Sequence, residues 1–322
     1  MYINAASTIS HQPTFRNAGF SELIEPLDNS SELISPNYKE YIDAGLLRRM
    51  SKILRMSVAA AKDCLTQAET AQPGAIIVGT GLGCLQDTEK FLNTFLSIEG
   101  LLPPTSFIQS THNTIAGQIS LSIGNHGYNM THTQNTLSFE HALIDTSLLL
   151  GEGKDNIITG AADEFIAFLD EAAEHLNASS KHHLTSGASF FILGKNKTEK
   201  SVARVKDVRT AGLIQDIDAA IDSFLLDNFL NISEVDLVLY SDFSEKEKMD
   251  SVAHQYFNEH YHADSKLINY TKLSGLYPTN SAFAMHYAVD RIQREPKLKN
   301  VLILNGLNKI NLGLTLIESL EA

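Results

Sequence analysis

The sequence predicts an α/β protein in which helices cover a largely parallel sheet. Short runs of valine, isoleucine and leucine alternate along the chain with longer segments of helical periodicity. Several of the short runs are continuously apolar and are bounded by Gly or Asp, which is typical of strands buried on both faces. This alternation of strand and helix indicates βαβ units.

The composition favours a folded chain with a sizeable core. The 322 residues are 43% hydrophobic and 20% charged, and this length suits about two domains or one large α/β unit. The net charge of −13 gives no field that attracts nucleic-acid phosphates or anionic lipid. The amino-terminal residues lack the features of a signal peptide, and no apolar run approaches the length of a membrane span. We therefore expect a soluble cytoplasmic protein without a nucleic-acid partner or membrane span.

The predicted strands are short apolar segments, such as GAIIV at 74–78 and VLILN at 301–305. The full set is 74–78, 128–133, 156–160, 188–193, 202–208, 235–241, 266–270, 301–305 and 312–317. The predicted helices are 38–68 with a break near Ser51, then 84–96, 111–123, 138–150, 214–230, 245–261 and 279–293.

The order of these elements suggests an internal duplication. GAIIVGTG and VDLVLYSD each precede a predicted helix at similar places in two halves of the chain. The likeness is one of pattern, not of letters. The polar stretches 177–186 and 195–201 are the candidate seams.

The glycine turn GTGLG at 79–83 lies between a predicted strand and a predicted helix. Such a turn can hold a phosphate at a helix amino terminus. The Rossmann spacing, however, requires a third glycine where Cys84 stands, and no Walker lysine follows. A tight strand-to-helix turn is therefore the favoured interpretation.

Cysteine and histidine provide no recognisable metal or nucleophile motif. Cys64 and Cys84 are too few for a disulfide framework or a Cys₄ site. Cys64 lies on an Ala-rich helix as a small hydrophobe, and Cys84 has no evident histidine partner. The twelve histidines include no H-E-x-x-H, so we expect neither a metal nor a cofactor.

The most informative segment is 104–164. A predicted helix leads to the strand 128–133, and the sharp turn QNTLS then begins a second helix. Enzymes of many folds place a nucleophile at such an elbow, because the helix dipole and free backbone N–H groups stabilise an anion there.

Several stretches carry a family resemblance: RRM at 48–50, TGLG at 80–83, STHNTIAGQ at 110–118, SFEHALID at 138–145, GAADE at 160–164, KLSGLYPTNSAFA at 272–284 and NGLNKINLGLTLI at 305–317. With them the chain resembles the β-ketoacyl-acyl carrier protein synthases, in particular the short branch found with aryl polyene and flexirubin-type pigment genes. The resemblance implies an α/β thiolase-like fold of two duplicated βαβαβ halves in α-β-α-β-α layers. The halves would span 1–194 and 195–322 within one compact unit.

In that family a cysteine at the elbow is acylated, and two histidines assist decarboxylation and stabilise the enolate and oxyanion. Aligning the family's Ala-Gly with Ala116 and Gly117 puts its cysteine at Thr136. The two histidine positions then fall near Ser241 and on Leu276.

A register two residues earlier puts Gln134 at the elbow, which resembles the chain-length-factor subunits of type II polyketide synthases. Either register leaves the elbow without a thiol. A threonine hydroxyl needs a base to act as a nucleophile, and a leucine carries no proton. The resemblance thus implies loss of all three catalytic groups.

The leading hypothesis is a non-catalytic subunit that forms a heterodimer with an active, Cys-containing ketosynthase in polyene, fatty acyl or polyketide elongation. By resemblance, the strand 128–133 pairs across the dimer axis. Four residues are expected to contact the acyl chain or the interface, with core packing as the alternative for the first two: Phe107, Ile108, Thr111 and His112. An acidic acyl carrier protein would dock on Arg48, Lys52 and Arg55, which have helical spacing within a cluster that includes Arg49; pairing with the chain's own carboxylates is the alternative.

Two other hypotheses remain open. One is an active decarboxylase or acyltransferase that uses Thr136, Gln134 or His132, with His141 also flanking the elbow. The other is a homodimeric acyl-binding protein.

Overall fold

A computed structural model of the chain describes residues 1–98, 100–102, 104–176, 183–241, 267–307 and 311–320. Ten strands form one continuous sheet in the order β3-β2-β4-β5-β1-β6-β10-β9-β7-β8. The strands are β1 Tyr2–Ile9, β2 Ala75–Gly79, β3 Tyr128–His132, β4 Ile157–Asp163, β5 Gly187–Gly194, β6 Ala203–Gly212, β7 Leu237–Tyr240, β8 Leu267–Asn269, β9 Asn300–Leu307 and β10 Asn311–Glu318.

The strand order repeats, so the predicted duplication is visible in the topology. The first five strands run β3-β2-β4-β5-β1, and the second five run β8-β7-β9-β10-β6 in the corresponding order. In each set the first three are parallel, and the last two are antiparallel to their neighbours. A short antiparallel contact, with Tyr2 opposite Arg204, joins the two sets. Residues 195–202 connect the sets along the chain; the division into domains at 194 and 195 stays a prediction.

The helices complete a five-layered arrangement. They are α1 Ala44–Leu47, α2 Lys52–Gln67, α3 Leu85–Ser97, α4 Pro104–Gln109, α5 Thr114–Ile123, α6 Ser138–Gly151, α7 Ala167–His175, α8 Ile217–Asp227, α9 Tyr270–Ser274 and α10 Ser281–Arg294. Helices α6 and α10 each contact strands of both sets and form the central layer. Helices α2 and α5 pack on the outer face of the first set, and α8 packs on the second. The predicted thiolase-like α/β architecture is thereby confirmed.

Alternation along each strand produces these layers. In β7, Leu237 and Leu239 pack toward the central helices, whereas Val238 and Tyr240 face α8. A strand with apolar residues on both faces can be covered on both sides, because successive side chains point in opposite directions. Each large side chain buried in this way contributes about 1.5–3 kcal/mol.

Most predicted elements are present, with differences that have local causes. Strand β1 was not predicted because Asn4, Ser7 and Thr8 interrupt its apolar pattern; all three are nevertheless buried, and the two hydroxyls are paired with Asp63 and Ser189. Helices α4, α7 and α9 were also missed. The predicted helix at 38–68 is continuous only from Lys52, and the helix predicted at 111–123 begins at Thr114 as α5. The predicted helix at 245–261 lies outside the described residues.

No helix in the described ranges is long and apolar enough to cross a bilayer.

Candidate functional site

The predicted elbow is a strained turn between β3 and α6. Asn135 has a φ of 55°, a left-handed conformation that is uncommon for a residue with a side chain. This strained residue lies between the two predicted positions, Gln134 and Thr136. Gln134 and Asn135 are exposed, whereas Thr136 is buried just before the central helix α6.

The glycine turn at 79–83 allows the elbow to pack closely. A Cβ atom on Gly79 would lie 2.5 Å from the carbonyl oxygen of Ser138, so only glycine fits there. The Ser138 hydroxyl donates to the carbonyls of Thr80 and Asn135, at 2.9 and 2.6 Å. These contacts tie the elbow to the end of β2.

The same turn binds a carboxylate of the chain itself. Asp163, at the end of β4, accepts the N–H groups of Gly81 and Leu82 at 3.0 and 2.8 Å. It also accepts the hydroxyls of Thr80 and Thr279 at 3.0 and 2.7 Å. Because Asp163 takes these donors, the turn serves an internal anion, in agreement with the favoured interpretation of GTGLG.

Thr136 has no base within hydrogen-bonding distance. Its hydroxyl is buried without a hydrogen-bond partner among the described residues. Its carbonyl accepts the amide of Asn305 at 2.7 Å, and the same amide donates to Glu140 at 2.9 Å. Burial raises the pKa of Glu140 from 4.5 to about 7, with the Asn305 hydrogen bond acting in the opposite direction. Sequence analysis missed Glu140 and Asn305; a carboxylate within an otherwise apolar helix was the available signal.

The two residues aligned with the family's histidines, Ser241 and Leu276, make structural hydrogen bonds. The Ser241 hydroxyl accepts the N–H of Gly306 at 3.0 Å, beyond the end of β7. Leu276 pairs through its backbone with His183 and Thr185. His183 thus lies beside Leu276, and its ring and that of His11 both hydrogen-bond the Ser31 carbonyl, at 3.1 and 2.9 Å. Sequence analysis gave His11 no role.

His132 and His141 form a cluster on the side of β3 and α6. The His132 ring contacts the Asp145 carboxylate at 3.0 Å and stacks near His141, with the ring centroids 6.4 Å apart. Burial lowers the pKa of His141. The Thr136 hydroxyl has no hydrogen-bond partner among the described residues, so it is not bonded to His132.

Neither cysteine is placed to act as a nucleophile. Cys64 donates to the Phe190 carbonyl, with a sulfur-to-oxygen distance of 3.0 Å, and Cys84 is fully buried before α3. Burial, reinforced by nearby carboxylates, raises the pKa of both thiols. Within the described ranges, no three His, Cys, Asp or Glu side chains are arranged to bind a metal ion.

The residues predicted to contact an acyl chain lie on α4 and the loop that follows it. Phe107 and Ile108 are 57% and 60% exposed, and the Phe107 ring packs against Phe91 of α3. The Thr111 hydroxyl hydrogen-bonds the Ile108 carbonyl of α4 and the Thr114 hydroxyl of α5, and the exposed His112 covers Gly83. We call the exposed apolar residues here the α3–α4 surface: Leu92, Phe95, Leu96, Ile98, Leu101, Phe107 and Ile108.

The predicted docking residues do not share one exposed face. Lys52 is half-buried and donates to the Phe165 carbonyl at 2.8 Å, while the Arg55 Nε atom is buried. Arg48 and Arg49 are exposed and, with Lys90, border a cleft between residues 48–51, which precede α2, and helix α3. Docking of a carrier protein at Arg48, Lys52 and Arg55 stays a prediction.

A layered, duplicated fold with an elbow at the start of a buried central helix defines a condensing-enzyme-like protein. Residues 31–210 match the family model described as β-ketoacyl synthase, N-terminal domain, and the chain belongs to this family. A search of curated proteins found no match.

Solved structures resemble the fold over almost its whole length. One is the ishigamide ketosynthase/chain length factor, with 15% identity, a TM-score of 0.75 and 99% of each chain covered. Another is the ketosynthase ApeO in complex with its chain length factor ApeC from Xenorhabdus doucetiae, with 12% identity, a TM-score of 0.78 and coverage of 99% of this chain and 97% of that one. A third is the type II polyketide synthase complex AntDE:AntF, in which an acyl carrier protein is bound to its ketosynthase, with 13% identity, a TM-score of 0.78 and 99% of each chain covered.

Proposed function

We propose that this chain is a non-catalytic, chain-length-factor-like subunit that pairs with an active β-ketoacyl synthase. The proposal depends mainly on the elbow. In this chain, Gln134, Asn135 and Thr136 occupy the turn where the family's cysteine is expected. Both cysteines of the chain are buried in other elements. Without a thiol, the chain cannot form the acyl thioester from which condensation proceeds.

The unpaired edge of the first set of strands supports the proposal that a partner chain binds there. Among the described strands, β3 has a neighbour on one side only, β2. Asn129 and Met130 at its centre are exposed. An exposed strand edge is a template for pairing with another chain. A partner synthase adding its own strand there would also cover the elbow.

The exposed α3–α4 surface is a second feature that supports binding of a synthase partner. Its apolar side chains are strongly exposed, with Leu96 at 81%. Exposed apolar side chains on two packed helices are typical of interaction sites. We place Phe107, Ile108, Thr111 and His112 at this contact, where they limit the length of the partner's acyl chain. The elongated product is a polyene, fatty acyl or polyketide chain on an acyl carrier protein, within the cytoplasm.

Co-expression with a Cys-containing synthase encoded beside this chain tests the proposal. A stable complex of one copy of each chain is expected by light scattering, together with acyl elongation that neither chain performs alone. Met130→Arg and Leu96→Glu should reduce complex formation. Phe229→Glu is the matched control, because Phe229 is 93% exposed on the second half. Robust condensation by the isolated chain, or no complex with the synthase, would overturn the proposal.

An active enzyme with altered chemistry is the second candidate function. Glu140, on α6, lies four residues after Thr136 in sequence, and its pKa of about 7 suits a general base. Against it, Thr136 has no hydrogen-bond partner within the described part of the chain. Acyl turnover that disappears in Thr136→Ala or His132→Ala would favour this candidate. A homodimeric acyl-binding protein would instead show twice the chain mass without a partner.

A further inference from the structure

Residues 25–34 cross the surface without forming a helix or strand, and most of their side chains are exposed. We call this segment the strap. Its two ends are attached through the main chain: the Gln12 amide donates to the Glu25 carbonyl at 2.6 Å, and the Ile34 N–H donates to the Ser10 carbonyl at 3.0 Å. Because few of its side chains are buried, the strap depends on such hydrogen bonds and can open locally.

The middle of the strap is held by two histidine rings. The His11 Nδ1 atom lies 2.9 Å from the Ser31 carbonyl oxygen, and the His183 Nε2 atom lies 3.1 Å from the same oxygen. Because a carbonyl oxygen only accepts, both ring nitrogens carry a hydrogen. The two rings meet edge to face, with their centroids 5.7 Å apart. The strap is therefore attached to one segment that follows β1 and to another that precedes β5.

The second nitrogen of the His11 ring fixes its protonation state. The Ser186 N–H donates to the His11 Nε2 atom at 3.3 Å, so this nitrogen presents a lone pair and the ring is neutral. A proton on Nε2 would face the Ser186 N–H and remove this hydrogen bond. The observed arrangement thus requires a neutral His11.

The surroundings of His11 disfavour a positive charge on the ring. Burial is the largest cause that lowers the pKa of His11 below 6.5, and the His183 ring and the Lys52 ammonium act in the same direction. The Ser31 hydrogen bond and the Glu32 carboxylate of the strap act in the opposite direction. Release of the strap returns the ring to water and toward its ordinary pKa. Protons therefore favour the released form as the pH falls below 6.5.

From these contacts we propose that the strap is a pH-sensitive cover, closed by a neutral His11 and released when that ring is protonated. The strap covers the loop that carries Lys272 and Leu276. The Leu27 N–H donates to the Lys272 carbonyl at 2.8 Å, and the Leu276 N–H donates to the carbonyl of His183. Release would therefore uncover the loop that contains Leu276. This inference does not depend on the proposed pairing with a synthase.

Hydrogen exchange of the full chain, measured by mass spectrometry at about pH 7.5 and about pH 5.5, tests the inference. The rates are corrected for the intrinsic pH dependence of exchange. We expect the protection of peptides that cover 25–34 and Ser186 to fall about tenfold at the lower pH, as loss of one hydrogen bond provides. Strand β10 should keep its protection at both pH values, because the opening is local.

His11→Gln keeps a donor and an acceptor but does not titrate, so the strap should stay protected at the lower pH in this variant. His126→Gln is the matched control, because His126 is an exposed histidine between α5 and β3. The control should keep the wild-type pH dependence. Thermal unfolding at about pH 7.5 identifies any loss of folding, and His11→Asn replaces His11→Gln if that variant does not fold.

Three results would overturn the inference. The first is protection of the wild-type strap that does not change with pH. The second is a pH dependence that persists in the folded His11 variant. The third is an equal loss of protection in β10 and in the strap, which would show that the whole protein opens.

Discussion

The amide of Asn305 donates a 2.7 Å hydrogen bond to the carbonyl of Thr136, across the two halves of the molecule. Asn305 lies on β9 in the second set of strands, and Thr136 lies at the elbow of the first. The same amide reaches Glu140, so one side chain holds the elbow and the central helix together. The conformation of the elbow thus depends on a residue 169 positions away in sequence.

Asn305→Ala should destabilise the protein by about 1–3 kcal/mol, because it removes the side-chain donor of the buried Thr136 carbonyl and one donor of the Glu140 carboxyl. Urea unfolding followed by circular dichroism measures the change. Asn300→Ala, on the same strand but less buried, is the control and should cost less. An equal cost in both variants would contradict the role of Asn305.

Glu140→Gln should change how stability depends on pH. Burial raises the pKa of Glu140 from 4.5 to about 7, so the folded state holds this proton more tightly than the unfolded state. Stability from this group is therefore present below pH 4.5 and is lost as the pH rises through 7. Relative to wild type, the variant should gain up to about 3 kcal/mol between these values.

The measurement is urea unfolding of both proteins from pH 4.5 to pH 8. Glu164, whose pKa burial also raises to about 7, is present in both, so its contribution cancels in the difference. A difference between the two proteins that stays constant over this range would show that Glu140 does not titrate there.

Asp163→Ala should be among the most destabilising changes in the molecule. It removes the acceptor of two backbone N–H groups and two hydroxyls, all close to the glycine turn. Each buried donor left without a partner costs about 1–3 kcal/mol. The melting temperature measures the loss. Asp170→Ala, at an exposed helix position, should have almost no effect.

Cysteine substitutions at the elbow should show that position 135 is accessible to a reagent and position 136 is not. Asn135 is exposed and Thr136 is buried, so Asn135→Cys should react with a thiol reagent at least about tenfold faster than Thr136→Cys. Both native thiols are buried and provide a slow background. Neither variant should gain condensing activity, because Ser241 and Leu276 stand at the positions aligned with the family's two histidines. Faster reaction at Thr136→Cys would contradict the burial of that position.

Sequence by itself determined the class of the protein, the α/β layering and most of the elements. The burial of runs such as 75–78 and 301–304 can be predicted locally, because a strand covered on both faces is apolar at most of its positions. The missing thiol could also be predicted, since the chain has only two cysteines and neither is near the elbow in sequence.

Only the tertiary structure decided which polar residues meet. Strand β1 was missed because its polar side chains are stabilised by Asp63 and Ser189, residues distant in sequence. For the same reason the pairing of Asn305 with Thr136, and of Asp163 with the glycine turn, has no local signature. Apolar burial follows from a residue's own side chain and its periodicity, whereas a buried hydrogen bond requires a specific partner that the fold must bring to it.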